Sequence, residues 1–421
     1  MKNLLSTIKL RLGDFWWYSL MLFFACRLAD LLNMFVGLYL VPKYIAPGEL
    51  GAVLPLSTFA AALAMPACVF AMTFTKEVNS LATRREFGKL KSLMKGVFTA
   101  TAVFLAAAIV LSRLALPHFL GKIRIVEGSL GLLIIATSFI GCASQIYTNA
   151  LQALKKFREL SLMNVVCAPI RLVAMLLAMP FRPLSGYFVG QGATPGANIL
   201  ASLWFLRKEL AVKAEPYWNR AVVKRFSLLF AGMAGYQCAG ILLGLAEQTC
   251  LRERLPDLES AAYYMATRFS DISVLLSGAL LTVLFPFTAE AAESGRSTRP
   301  IVIKTSVVTA IGCLALAAAF AAIGRPLMAL LPGGDEYSRY TWTIPWLIVL
   351  NIFTTVQCIC TNTEVSAARF GFLKWWIPLN LALPAALYLL PVRDLNGMMY
   401  WFTFAAIAKA GFSLYEICRS K

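Results

Sequence analysis

Twelve apolar segments run through this chain, and lysine and arginine collect mostly in every second gap between them. The segments fall at about 15–40, 51–75, 96–116, 129–151, 160–180, 184–206, 226–247, 261–288, 302–323, 342–363, 373–390 and 396–417. Uncharged runs such as GVFTATAVFLAAAIVLS and SVVTAIGCLALAAAFAAIG approach or reach the roughly 20 residues that cross a bilayer as a helix. Inside lipid every backbone N–H and C=O must be paired within the protein, so a chain of this pattern is driven into a bundle of helices. Only 14 % of the 421 residues are charged, against about 25 % in a soluble domain. The longest polar stretch, 207–225, is too short to bury a core of its own. The expectation is an all-α polytopic membrane protein of twelve transmembrane helices.

The charge pattern orients it. Of the 39 basic residues, 25 lie at the N-terminus, in the loops after segments 2, 4, 6, 8 and 10, and at the C-terminus. The opposite loops hold 10: Lys43, Arg113, Lys122, Arg124, Arg182, Arg252, Arg254, Arg325, Arg339 and Arg393. This bias places the chain in the cytoplasmic (inner) membrane with both termini in the cytoplasm. The same bias, together with attraction to anionic headgroups, accounts for the net charge of +18 without a nucleic-acid partner. The first apolar run carries Arg27 and Asp30 and continues to Leu40, which is not the pattern of a cleaved signal.

The basic loop at 207–225 divides the chain into a six-helix lobe over 1–206 and another over 226–421, the proportions of an internal repeat. Segment 4 ends NALQALKKF and segment 10 ends NTEVSAARF, so Asn149 and Phe157 match Asn362 and Phe370 in spacing. The sixth segment, with GYFVGQGATPGA, is poor in large side chains and suits close packing inside a bundle. Pro66, Pro169, Pro345, Pro378 and Pro384 bend their segments and offer hinges.

Four basic residues remain inside segments: Arg27, Arg171, Arg268 and Lys409. A cation at the bilayer centre costs roughly 2.5–3.5 kcal/mol on insertion scales. Arg27 with Asp30, and Arg268 with Asp271, are three residues apart and share a helix face. Each pair is either a self-neutralising structural ion pair or part of a water-filled cavity. Arg171 and Lys409 have no acid at helical spacing and can snorkel. If the four cations and two carboxylates line one cavity, its charge is +2. That sign suits an anionic substrate, above all a pyrophosphate gripped by paired N–H donors. A polar stripe in segment 4 (Gln145, Asn149, Gln152) and another in segment 10 (Asn351, Thr355, Asn362) serve either as glue between helices or as partners for a hydroxyl-rich cargo. Asp30, Asp271 and Glu247 are the candidates for coupling to an ion.

Little points to catalysis or to a cofactor. The cysteines sit mostly in apolar runs, the single histidine is His118, and metal-ligand spacing is absent. Glu253, Asp257 and Glu259 form the one acidic cluster, beside Arg252 and Arg254. No phosphate loop, dinucleotide fingerprint or nucleophile elbow occurs. The expectation is a protein that is not an enzyme and has no cofactor. A membrane-embedded glycan polymerase or ligase is the alternative from another class.

Several stretches resemble one family. KYIAPGELGAVLPLSTFAAAL, FTKEVNSLATRREFGKLKSLMKG, ALQALKKFRELSLMNVVCAPIRL and ESAAYYMATRFSDISVLLSGALLTVLFP, the last ending at Phe285 and Pro286, are similar to polysaccharide-export and O-antigen flippases. These belong to the multidrug/oligosaccharidyl-lipid/polysaccharide (MOP) transporter superfamily. The resemblance implies a MATE-like fold of two pseudo-symmetric six-helix lobes. It implies movement of an undecaprenyl-pyrophosphate-linked oligosaccharide across the membrane by alternating access, beside glycosyltransferases and a polymerase of the same pathway. Lipid II flippases of the superfamily use cavity arginines for pyrophosphate, and Arg27 and Arg268 sit in the matching segments. Family members often carry Asp near the end of helix 7, where this chain has Glu247. Lipid II flippases usually add two C-terminal helices, whereas this chain has twelve segments; that favours the capsule, exopolysaccharide or O-antigen branch. A cation-coupled multidrug exporter is the alternative within the superfamily.

Overall fold

A computed structural model of the protein describes residues 24, 26–125, 127–293, 298–366 and 370–419. The repeat match at 367–369, the basic residues Lys2, Lys9, Arg11, Arg296, Arg369 and Lys421, and the side chains of Phe285 and Pro286 lie outside the described set. Helix α1 covers 26–44, with a π turn at Val36–Leu40. A single turn at Pro47–Leu50 leads to α2 (Val53–Thr83), α3 (Phe87–Lys122), α4 (Gly128–Ala153), α5 (Phe157–Ala178) and α6 (Pro183–Phe205). Then come α7 (Arg220–Arg254), α8 (Asp257–Glu293), α9 (Arg299–Ala329), α10 (Thr343–Ser366), α11 (Leu373–Leu389) and α12 (Leu395–Arg419). Among the described residues there is no strand.

Several helices outrun their apolar segments. The run in α3 stops before Pro117, yet the helix carries that proline inside it and ends at Lys122. Similarly, α7 and α8 extend about two turns or one turn beyond 226–247 and 261–288 at their ends. Hydropathy marks what lies in lipid, whereas backbone hydrogen bonding continues into the polar residues beyond it. Among the described residues, six stretches are long and apolar enough to cross a membrane: Pro47–Met65, Phe87–Ala107, Gly128–Ala153, Phe157–Ala178, Arg299–Ala329 and Thr343–Glu364.

The chain divides into two compact units. One takes Met1–Val36, Phe59–Gly121 and Val126–Ala234; the other takes Gly37–Thr58, Lys122–Ile125 and Gly235–Lys421.

In the first unit α6 packs on both α5 and α4. Small residues allow it, as the sixth segment's composition predicts. A Cβ on Gly192 would lie 2.7 Å from Thr137 of α4. On Gly190 it would lie within 2.9 Å of two Met175 atoms of α5. One end of this unit has a core of Phe74, Leu93, Ile146, Leu151, Met163 and Phe226, drawn from five helices. The polar 207–225 segment is clasped against that end. Lys91 donates to the Leu210 carbonyl at 2.8 Å, Tyr217 to Glu77 at 2.6 Å and Trp218 to the Ser92 carbonyl at 3.2 Å. Lys156 joins Glu209 at 2.8 Å. The α2–α3 and α4–α5 turns share one design. Arg85 and Lys155 hold φ of 58° and 57°. The next N–H returns to a carbonyl five residues back, from Glu86 to Leu81 and from Lys156 to Leu151, each 2.9–3.0 Å.

In the second unit α10 is central and packs on α8, α9 and α12. Val302, Ile359, Cys360 and Ile417 are buried together there. The turn between α7 and α8 is built around Arg252, whose side chain is 1 % exposed. Its guanidinium donates to Asp257 at 2.7 Å, to the Ile123 carbonyl at 3.3 Å and to the Gly48 carbonyl. Burial lowers the pKa of this guanidinium, and the Asp257 carboxylate opposes that shift. Gly51 is needed beside it, since a Cβ there would sit 2.4 Å from that of Ser260. Arg124 also reaches Asp257, at 2.9 Å, and Lys122 reaches Glu253 at 3.7 Å. Glu259 accepts from the Leu395 N–H at 3.1 Å, starting α12. The acidic cluster seen in the sequence is therefore engaged in holding turns together.

Candidate functional site: polar groups inside the helices

In the first unit, α1, α5 and α6 enclose a polar cleft of about 230 Å³. Asn33 comes from α1, Asn164 and Arg171 from α5, and Gln191, Thr194 and Asn198 from α6. Helical spacing aligns them. Asn164 and Arg171 are seven residues apart, and Gln191, Thr194 and Asn198 fall at i, i+3 and i+7. Arg171 donates to the Asn33 side-chain carbonyl at 2.6 Å, and its guanidinium lies 6.0 Å from the Tyr187 ring centroid. Gln191 donates to the Tyr187 hydroxyl at 2.7 Å. Among the described residues, the lining holds one cation and no carboxylate.

Arg27 and Asp30, also on α1, form the ion pair that their spacing predicts, at 3.2 Å. Neither lines the cleft. The α4 stripe is uneven in environment: Asn149 is buried, while Gln145 and Gln152 are exposed.

In the second unit Arg268 and Asp271 form the matching pair, at 3.0 Å. The Arg268 guanidinium is 5.1 Å from the Tyr264 ring centroid. Its stem passes Gly37 of the π turn, where a Cβ would lie 2.9 Å from the arginine Cδ. Tyr264 also donates to the Gly37 carbonyl, at 3.2 Å. Lys409 of α12 has an acid after all, on another helix: its charge acts on Glu247 of α7, beside Trp401. Asn351 of α10 donates to Ser273 at 2.9 Å and to the Ser270 carbonyl at 3.3 Å, so it ties α10 to α8. Thr355 is buried and Asn362 half-buried on the same helix. Sequence reasoning passed over Asn33, Asn164, Gln191, Thr194 and Asn198. Their helical spacing within α5 and α6 was the available signal.

No protein-family model matches the chain, and no curated protein sequence does. Solved structures do match. The lipid II flippase MurJ, in an inward closed conformation, aligns over 95 % of this chain and 87 % of its own, with TM-score 0.65 and 12 % identity. A multidrug resistance MATE family transporter of the MOP superfamily, outward-facing, aligns over 95 % and 94 %, with TM-score 0.60 and 13 % identity. A MOP superfamily transporter from Pyrococcus furiosus, for which a binding pocket of reverse polarity suggests a different function, aligns over 95 % and 94 %, with TM-score 0.60 and 12 % identity. At such identities the likeness is one of fold. The chain has the all-helical fold of MOP superfamily transporters and flippases, and it is a multi-pass membrane protein.

Proposed function

We propose that the protein is a flippase. It moves an undecaprenyl-pyrophosphate-linked oligosaccharide across the cytoplasmic membrane by alternating access, for cell-surface polysaccharide synthesis. The observation that carries this reading is the α1–α5–α6 cleft, whose described lining has Arg171, five uncharged polar side chains and no carboxylate. A carrier of organic cations needs the opposite sign inside. Arg27 and Arg268 supply further cations toward the pyrophosphate, and Lys409 with Asn149, Gln152, Gln145, Asn351 and Asn362 adds polar contacts. Asp30, Asp271 and Glu247 are the candidates for an ion that resets the empty carrier. An inside-negative potential already favours outward movement of a pyrophosphate, by about 2.3 kcal/mol per charge per 100 mV. The reading places the lobes at 1–206 and 226–421, joined by a cytoplasmic linker at 207–225, with both termini inside. Glycosyltransferases and a polymerase would act before and after it.

Reconstitution in proteoliposomes tests the reading. Fluorescent undecaprenyl-pyrophosphate-linked N-acetylglucosamine should cross between leaflets faster than in protein-free vesicles, while ethidium should not be transported. The reverse result would make the protein a multidrug exporter of the same fold.

A further inference from the structure

We infer that a cavity at one end of the second unit holds the phosphate headgroup of an anionic phospholipid from the surrounding bilayer. It is a second site, additional to the cleft of the first unit, and does not depend on what the cargo is.

The cavity measures about 720 Å³, within the roughly 300–1,000 Å³ of small-molecule sites. Three connections build it. Arg124 lies between α3 and α4, Arg254, Leu255 and Pro256 make the α7–α8 turn, and residues 388–393 lead from α11 toward α12. Among the described residues its lining has three arginines and no carboxylate. Two of the arginines hold the walls. Arg254 donates to the carbonyls of Leu387 at 3.2 Å, Tyr388 at 2.9 Å, Leu390 at 2.5 Å and Val392 at 3.4 Å, closing the carbonyl end of α11. Arg124 donates to Asp257 at 2.9 Å and to the Glu253 carbonyl at 3.0 Å, and keeps further N–H groups. Arg393 is the third. It is exposed, and among the described residues no hydrogen bond or ion pair engages it. Its backbone is pinned on both sides, by Arg254 at the Val392 carbonyl and by Glu259 at the Leu395 N–H. A guanidinium so placed, with its donors unspent, suits two-pronged bonding to a phosphate.

The neighbouring carboxylates are already committed. Asp257 pairs with Arg124 and Arg252, Glu253 with Lys122, and Asp394 accepts from the Gly397 N–H. A headgroup with an ammonium would bring a like charge to three guanidiniums. Phosphatidylglycerol brings a phosphate and hydroxyls alone.

The flank of α11 says why the phosphate belongs to a lipid. Pro378, Leu381, Ala382, Ala385 and Leu389 are exposed and fall on one helix face. That stripe runs up to the cavity, where Leu389 is 85 % exposed. An acyl chain lying along it ends at the arginines. Tyr388, also in the lining, is a residue type that sits at headgroup level.

The test uses the purified full-length protein in detergent, with phosphatidylglycerol and phosphatidylethanolamine of the same acyl chains as probes and native mass spectrometry as the readout. The parent should hold phosphatidylglycerol at least about tenfold more tightly, the scale of a charge-assisted hydrogen bond. Arg393→Gln should remove most of that preference at an unchanged melting temperature. Arg339→Gln, at an exposed arginine outside the lining, should keep it. Leu389→Glu, on the stripe, should also weaken phosphatidylglycerol and carries the test if Arg393→Gln does not fold. A parent without preference, or equal losses in Arg393→Gln and Arg339→Gln, overturns the inference and leaves the flippase reading standing. Undecaprenyl pyrophosphate is the third probe. Tighter binding of it than of phosphatidylglycerol, lost in Arg393→Gln, would give the cavity to the transported lipid and overturn the assignment.

Discussion

Arg171 of α5 donates to the side-chain carbonyl of Asn33, on α1, at 2.6 Å. The partner is an amide, so this contact orients the guanidinium without cancelling its charge. Replacing the amide by a carboxylate is then a sharp test. Asn33→Asp is expected to clamp Arg171 in an ion pair, keep or raise thermal stability, and lower lipid transport at least about tenfold, the scale of a charge-assisted hydrogen bond. Normal transport by Asn33→Asp would mean that the positive charge of the cleft is not used.

Arg268 gives a second prediction. Arg268→Ala should abolish transport while the protein still inserts, and Arg268→Lys should restore only part of it, because a point charge lacks the two-pronged grip of a guanidinium. Gly37→Leu attacks the same group from outside, since a side chain there runs into the Arg268 stem. It should reproduce the loss with Arg268 intact. A fully active Gly37→Leu protein would argue against the arginine's position mattering.

The Arg27–Asp30 pair is separable by a double change. If the pair is only structural, Arg27→Gln with Asp30→Asn should insert and transport better than either single variant, because no lone charge stays behind. If either residue binds substrate or ion, the double variant should remain inactive. Transport at the parental level would remove α1 from the list of anion sites.

For Arg252 the expected effect is on stability. Truncation to Met leaves Asp257 and the carbonyls of Gly48 and Ile123 without their shared donor. Asp257 keeps Arg124, so the loss falls on the two carbonyls, at about 1–3 kcal/mol for a buried acceptor left unsatisfied, which should appear as a drop in melting temperature in detergent. A variant that melts with the parent would show that the three turns hold without it.

Membrane orientation is tested by Lys213→Cys and Lys122→Cys on a cysteine-free background. An impermeant maleimide added from outside should label position 122 and spare position 213. The opposite pattern would invert the topology.

Helix positions were readable because lipid imposes a severe rule on backbone hydrogen bonding, and long apolar runs leave few alternatives. The two ion pairs were readable for the same kind of reason, since Arg27–Asp30 and Arg268–Asp271 are local in sequence. What stayed hidden is non-local. Lys409 and Glu247 are 162 residues apart in number; no spacing rule connects them. Nor does the acidic cluster at 253–259 announce that its partners lie at Arg124 and Lys122. The cleft was half visible. Its α6 face follows a helical period, but Gln191 and Thr194 sit in a glycine-rich stretch whose composition points to packing.

The turns at Arg85 and Lys155 hold basic residues in a conformation that glycine adopts most easily. A basic side chain there follows the carbonyl end of a helix, where a positive charge is favoured, and it counts toward the charge bias of that face. On the proposed orientation, chain reversal and the charge bias that sets it meet at the same two positions. Glycine at either would ease the backbone and weaken the address, so a gain in folding would come with a loss of certainty about which way the protein faces.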